Sequence, residues 1–512
     1  MRGKWSERLT RYRRSLLVSG GIAAAAALSL TAAGVGQAQD RPSENGNRQA
    51  INTEADYTPF EEFTPLPAST PCVGEPSGRQ AKPFVIPAGY EQQVVAEEGD
   101  PGTNANTDNW DMSTQNEFGK DAGRYVFRTH ENRSKPSQVS VTDLQTGETK
   151  ILAERVDWEA FDGIVWTPWG TILAAEETIV QAKPDPQVPQ ARGGLVYEFF
   201  VDPDDPSKLD PSRERITPGD GTNDTVKDGI RARPALGAKS HEGMRFDKRG
   251  YHYGIAESRG QTTAGQAGAV FRFVPDRKGD LSRGQLQALV TEDRRYGEGR
   301  WVDLDRTQVQ IDADREAENK GANEYQRPED VETGRSTGVD RNNGGNTLYV
   351  GITEGAEGGV MAVDLSSKDR PFAYPYAGPA AGNTTPDFTN ADNLALDSEG
   401  NLAIAEDPPV NPVGADVWIA APPRGEDDDD DNGKRRQPAS TVQRFSSLKD
   451  CIAEPSGIYF ALKGTEEFSE EIGLEDVVNG ETLFDHRQHA GQTSPIDQLV
   501  AIAPVNDDRD DD

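Results

Sequence analysis

The sequence predicts an all-β fold, a six-bladed β-propeller with long inter-blade insertions, and three observations carry that expectation. The first is composition: 52 Gly and 34 Pro among 512 residues, with 34% hydrophobic content, give a chain rich in turns. Such a chain is poor in the long apolar stripes that buried helices require. The second is a recurring unit in which an acid precedes a turn glycine at a fixed distance: Asp162 and Gly170, Glu242 and Gly250, Asp392 and Gly400. The third is a short apolar run after each glycine that ends in acid again, at Glu176-Glu177, Glu257 and Glu406-Asp407.

Each unit reads as a hairpin. Because a hairpin doubles back, the start of its first strand and the end of its second lie side by side, far from the turn. Both acids therefore face the same way. Weaker copies occupy the intervals: Gly123 to Glu131 with Asp111 upstream, Arg327-Pro-Glu329 with a return run from Thr347 to Glu354, and Glu454-Pro-Ser-Gly. The return run of the last copy, Thr482 to His489, carries histidines in place of the acid. Further strand-like runs at Gly194–Phe200 and Ala269–Val274 supply outer strands. Six such units arranged round a channel make a propeller, and the acids of its inner hairpins meet at one mouth.

Gln181–Ala238, Tyr296–Gln326 and Pro423–Gln437 are expected to be inter-blade excursions. The run Asp427–Asp431 lacks the spaced pattern of a calcium loop and reads as a solvated surface. Residues 1–38 hold Arg13-Arg14 before an uncharged Ala/Gly/Leu-rich stretch, which reads as a twin-arginine signal cut near Ala38. Residues 39–80 are a polar, Pro-rich tether, residues 81–505 the propeller, and residues 506–512 an acidic tail. No later apolar run is long enough to span a bilayer. The expectation is a monomer exported by the twin-arginine machinery to the periplasm, the cell envelope or beyond, with no permanent membrane anchor. In such a compartment Cys72 and Cys451 could pair. A net charge of −33 excludes nucleic acid as a partner, since a phosphate backbone demands a basic footprint.

A single acid at a strand end often only caps a turn. Recurrence argues for more: many carboxylates in one mouth repel and take up protons unless cations neutralise them. Carboxylate oxygens suit calcium, magnesium, manganese or ferric iron. With five histidines in the chain, zinc has only His486 and His489 as a weak pair, and no Gly-x-Ser-x-Gly or phosphate loop is present.

Thr167-Pro-Trp-Gly-Thr with Glu176-Glu177, then His241-Glu242-Gly243, Phe271-Arg-Phe-Val-Pro275, Arg327-Pro-Glu329, Asp392-Asn393-Leu394 and Gln488-His489-Ala490-Gly491 together resemble the PhoX-type alkaline phosphatases. The order agrees, and the likeness runs from about Pro83 to Gly491. The resemblance implies an exported six-bladed propeller that hydrolyses phosphomonoesters with a mixed Ca2+ and Fe3+ cluster, its substrates small phosphorylated molecules. It implies Glu177, Glu242, Glu329 and Asp392 as metal ligands, Asn393 as a ligand or phosphate contact, and Arg327 as the phosphate clamp. Glu131, Glu257 and Glu354 are expected ligands from the repeat. Asp162 stands where the family commonly has an iron-binding cysteine, and Ala175 where it has a second. A hard ligand at 162 suits ferric iron or an all-calcium site. Two other functions use the same acids: a calcium-dependent lactonase or ester hydrolase, and a non-catalytic, calcium-stabilised binding propeller.

Overall fold

The computed structural model describes residues 62–73, 80–99, 109–133, 136–258, 268–333, 346–354, 358–407, 413–423, 436–462, 465, 483–488 and 496–505. The expected signal, the first part of the tether, Asp427–Asp431, His489 and the acidic tail lie outside the described residues, as do the side chains of residues 486–488.

The fold is all-β and propeller-like. Successive antiparallel meanders each begin with an inner strand: β1 Trp110–Gln115, β2 Phe161–Trp166, β3 His241–Phe246, β4 Gln326–Thr333, β5 Ala391–Leu396 and β6 Glu454–Phe460. The turns after β2, β3 and β5 close on Gly170, Gly250 and Gly400, whose φ values of 76°, 81° and 86° a β-carbon would oppose. In two of them an aspartate completes the turn. Asp247 Oδ1 accepts the N–H groups of Arg249 and Tyr251, and Asp397 Oδ1 those of Glu399 and Asn401. The glycine spacing in the sequence is thus the spacing of real hairpin turns.

The inner strands close a ring, each lying beside the next and β6 beside β1. A cavity of about 10 Å³ on the ring axis is lined from every one of them, by Thr114, Val165, Arg245, Glu332, Ala395 and Tyr459. That is room for about one water. Arg245 and Glu332 form an ion pair at 3.0 Å in the cavity wall.

The strands form five hydrogen-bonded sheets rather than six separate blades. Four have four or five strands, and the fifth has nine, because two meanders are joined at their edges. The joint is short: Gly297 pairs with Ala373 and Glu298 with Phe372. It belongs to a strand, Gly297–Asp303, which lies with helix α1 (Val309–Asn319) inside the expected excursion Tyr296–Gln326. The excursion Gln181–Ala238 likewise contains the outer strands Val196–Phe199 and Ile230–Ala232 of the second meander.

The N-terminal part completes the ring. Tyr90–Glu97 pairs with Gln498–Pro504, and Phe84–Val85 extends the sheet that contains β5. The stretch at 62–73, expected as tether, is docked instead: Leu66 N donates to Arg444 O at 3.0 Å and Ser69 Oγ to Asp416 Oδ2 at 2.6 Å. Cys72 and Cys451 form a disulfide across a sequence separation of 379, which in the loop-entropy model contributes about 6 kcal/mol. Among the described residues no helix is long and apolar enough to cross a membrane.

Candidate functional site

Every inner strand carries a β-bulge at the same level. In β2 the register runs from Phe161↔Glu176 to Ile164↔Ala174, one residue more on the inner strand than on its partner. The same excess occurs in β1, β3, β4, β5 and β6. A bulge bends the strand and re-aims the side chain within it. The first bulged residue is Asp111, Asp162, Glu242, Glu329 or Asp392 in the first five strands and Gly457 in β6.

Two residues before three of these acids the backbone is left-handed, at Ala160 (φ 45°), Arg327 (φ 50°) and Asn390 (φ 48°). Side-chain-bearing residues adopt that conformation at a cost. At Ala160 and Asn390 it lies at the carbonyl that receives the second acid of the hairpin. The carbonyls of Ala160 and Asn390, and those of Asn109 and Ser240 in the equivalent places, accept the N–H groups of Glu177, Asp407, Glu131 and Glu257 at 2.7–3.1 Å. Glycine after the acid lets inner strands approach: a β-carbon on Gly163 would sit 2.0 Å from Glu242 O, and one on Gly243 1.6 Å from Asp330 Oδ1.

The acids gather in two groups. Oxygens of Asp162, Glu177 and Glu242 lie within 4.8 Å of one another, and so do those of Asp392, Asp407 and Glu454. Burial pushes the Asp162 carboxyl well above its usual range, and Asp111 and Glu177 push it further. Burial and then Asp162 and Glu329 do the same to Glu242. Burial with Asp407 and Glu454 raises Asp392, and burial with Asp407 and Asp111 raises Glu454. Glu329 is raised by burial and Asp392 despite Arg327. Charge repulsion therefore runs round the whole mouth.

Two arginines offset part of it. Arg327 spends Nε on Glu257 at 2.9 Å, Nη2 on Glu329 at 2.8 Å and Nη1 on Asp407 at 2.6 Å, with its side chain 22% exposed. Arg133 Nη2 meets Glu131 at 2.6 Å and also Glu177, and its side chain is 59% exposed. The deficit that remains suits cations. Asp162 Oδ1 is buried without a hydrogen-bond partner, and the acids grouped with it, Glu177 and Glu242, offer carboxylate oxygens, a hard donor set. Thiolate is not on offer, since both cysteines are in the disulfide.

The paired acids divide their work. Glu176 accepts the N–H groups of Glu159 and Leu195, each at 2.9 Å, and Glu406 those of Thr389 and Asp416 with the indole of Trp418. They hold the entry to their inner strands, while Glu177 and Asp407 face the mouth. Asn393, expected to touch metal or phosphate, has its Oδ1 occupied by Gly457 N at 2.6 Å and Ser456 Oγ at 3.0 Å, tying β5 to β6, and its Nδ2 donates to Asp392. Glu354 is out of place by one residue. Gln326 is its partner, so Thr353 holds the position that Glu131, Glu177, Glu257 and Asp407 hold elsewhere, and Thr353 Oγ1 donates to Ala391 O. Asp407, Glu454 and Arg133 are the residues not singled out from sequence. Asp407 carried the repeat's signal, Glu454 sits three residues before its bulge, and Arg133 has no motif.

Beside the first group opens a cleft of about 390 Å³, lined by Arg133, Glu177, Thr178, Ile179, Val180 and Glu257 among others. Val180 is 72% exposed and Ile179 42%.

A family model described as alkaline phosphatase PhoX matches residues 165–426, just over half of the chain. Among solved structures the chain is similar to a gluconolactonase from Xanthomonas campestris, at 10% identity over 86% of this chain and 100% of that one, TM-score 0.40. It is similar to a PQQ-bound aldose sugar dehydrogenase from Streptomyces coelicolor, at 12% identity over 82% and 99%, TM-score 0.35. A third likeness is to the β-propeller domain of the trilobed protease from Pyrococcus furiosus, at 10% identity over 76% and 79%, TM-score 0.29. No curated protein matches the chain.

Proposed function

Because the chain belongs to the PhoX alkaline phosphatase family, we propose that it is a metal-dependent phosphomonoester hydrolase working at the acidic mouth of the ring. The observation that carries this reading is the convergence of two carboxylate groups, one of them around a buried oxygen of Asp162 that nothing else satisfies. Counted as a propeller, the nine-stranded sheet is two blades zipped at one edge, which makes six round one axis.

Asp162, Glu177 and Glu242 hold one cation in this reading, and Asp392, Asp407 and Glu454 another, with Glu131, Glu257 and Glu329 beside them. Calcium fits the all-oxygen donor set; ferric iron would have to bind without the family's thiolates. Bound cations would offset the negative charge that builds up on the phosphate oxygens in the transition state. Arg327 keeps Glu257, Glu329 and Asp407 in place and presents its remaining Nη protons to the phosphate edge. Asn393 positions Asp392. Export by the twin-arginine route, and action as a monomer on small phosphorylated substrates, belong to the same proposal.

The test is purified protein stripped with chelator, then reloaded with Ca2+, with Fe3+ or with both, and assayed on p-nitrophenyl phosphate, its diester and a sugar lactone, with metals counted. Monoester hydrolysis that returns only on reloading is expected. Cation binding accompanied by lactone hydrolysis alone would move the chain to the lactonase reading, and protein that takes up no cation would end the metal-site reading.

A further inference from the structure

We propose that Arg133 is a second phosphate-binding residue of this site, the one that receives the phosphoryl anion in the cleft; this rests on the phosphatase reading. Arg327 has every guanidinium nitrogen on a carboxylate and is mostly enclosed. Arg133 differs in each respect. It lies just beyond the strand Tyr125–His130, is 59% exposed, and lines the 390 Å³ cleft. Its ion pairs run from one nitrogen, Nη2, to Glu131 and Glu177, and Nη1 makes only a long hydrogen bond, 3.4 Å, to the Glu177 carbonyl oxygen.

Glu177 also belongs to the group around Asp162, whose Oδ1 is buried and unpartnered. A cation seated there takes over the charge on Glu177 that Arg133 offsets. The guanidinium, still carried on the same loop, is then left over the cleft with donors in the planar fork that matches phosphate. Before loading, the surrounding carboxylates repel a phosphoryl group, so cation and phosphate binding are coupled, each raising the other's affinity. Ile179 and Val180 complete the wall without adding negative charge, leaving an apolar surface for the ester's organic part.

The experiment is a calorimetric titration of the full chain, first with Ca2+ alone and then, once loaded, with inorganic phosphate. Arg133→Ala is expected to bind phosphate at least about tenfold more weakly, the size of a lost charge-assisted contact. It should bind Ca2+ as tightly as the wild type or more tightly, because a competing cation has gone. Arg133→Lys, which keeps the charge, should recover part of the phosphate affinity. Phosphate binding unchanged in Arg133→Ala would overturn the proposal, and so would a loss of Ca2+ affinity matching the loss for phosphate, which would mark Arg133 as scaffold. Melting of each variant in chelator checks that it is folded. A loaded wild type that binds phosphate and hydrolyses monoesters while Arg133→Ala does both equally well removes only Arg133's role. A loaded wild type that does neither removes the phosphatase reading itself.

Discussion

The two carboxylate groups come from one repeated hairpin yet meet solvent differently. The group around Asp162 borders a cleft and is offset by an exposed arginine at its edge. The group around Asp392 is capped through Asp407 by Arg327, which also grips Glu257 and Glu329. Bulge and register place Asp162 with Glu177 and Asp392 with Asp407 alike; the third acid differs, Glu242 lying in the bulge of the next inner strand and Glu454 three residues before one. Access is set by the residues around them: an arginine held in the ring in one case, a loop arginine in the other.

The largest effect should come from removing a ligand on the open side. Glu242→Ala is expected to lower both cation affinity and monoester turnover by at least about a hundredfold, because both its neighbours lose their shared counter-ion. Asp407→Ala should lower cation content with a smaller loss of turnover, and equal losses of turnover would erase the distinction between the groups. Metal analysis and kinetics on the two variants decide it.

Next in size is Arg327→Ala. It leaves Glu257, Glu329 and Asp407 without their cation, so in chelator the variant should lose about 2 kcal/mol of stability, discounted from the cost of breaking a fully buried pair. Calcium should restore most of it. Denaturation with and without Ca2+ measures this, and a loss that calcium leaves untouched would make Arg327 a plain structural cation.

The raised carboxyls also imply a pH effect. In the stripped protein Asp162, Glu242, Asp392 and Glu454 have folded pKa values above their unfolded ones, so the folded state binds more protons. Stability is then fully present below about pH 4, the unfolded carboxylate value, and falls as pH rises through the raised folded values. Melting in chelator should be about 5 °C higher at pH 5 than at pH 8, with Ca2+ flattening the profile. A flat profile in chelator would show that the arginines alone balance the mouth. The smallest effect belongs to the cleft wall: Val180→Asn should raise KM for an aryl phosphate about twofold and leave glycerol phosphate unchanged.

Much of this site was legible because its determinants are local. Asp162, Glu242 and Asp392 each precede a turn glycine at one spacing, so the hairpin ends and their acids could be placed without any contact being known. Glu354 shows where this fails. Eight residues after Glu329 stands Thr337 instead of glycine, so no glycine at the common spacing marks the register of the return strand, and its pairing with β4 puts Thr353 at the mouth. Arg133 owes its place to a loop that brings it back over Glu131 and Glu177. The nine-stranded sheet depends on backbone pairing between Gly297-Glu298 and Phe372-Ala373, which leaves no side-chain pattern to read.

Pairing between Tyr90–Glu97 and Gln498–Pro504 also fixes an order of events. The strand Tyr90–Glu97 leaves the ribosome long before its partner, so the ring cannot close until Gln498–Pro504 has been made. Until then the edges these two strands would share stay open, and loss of Gln498–Pro504 leaves an acidic mouth with no complete wall around it.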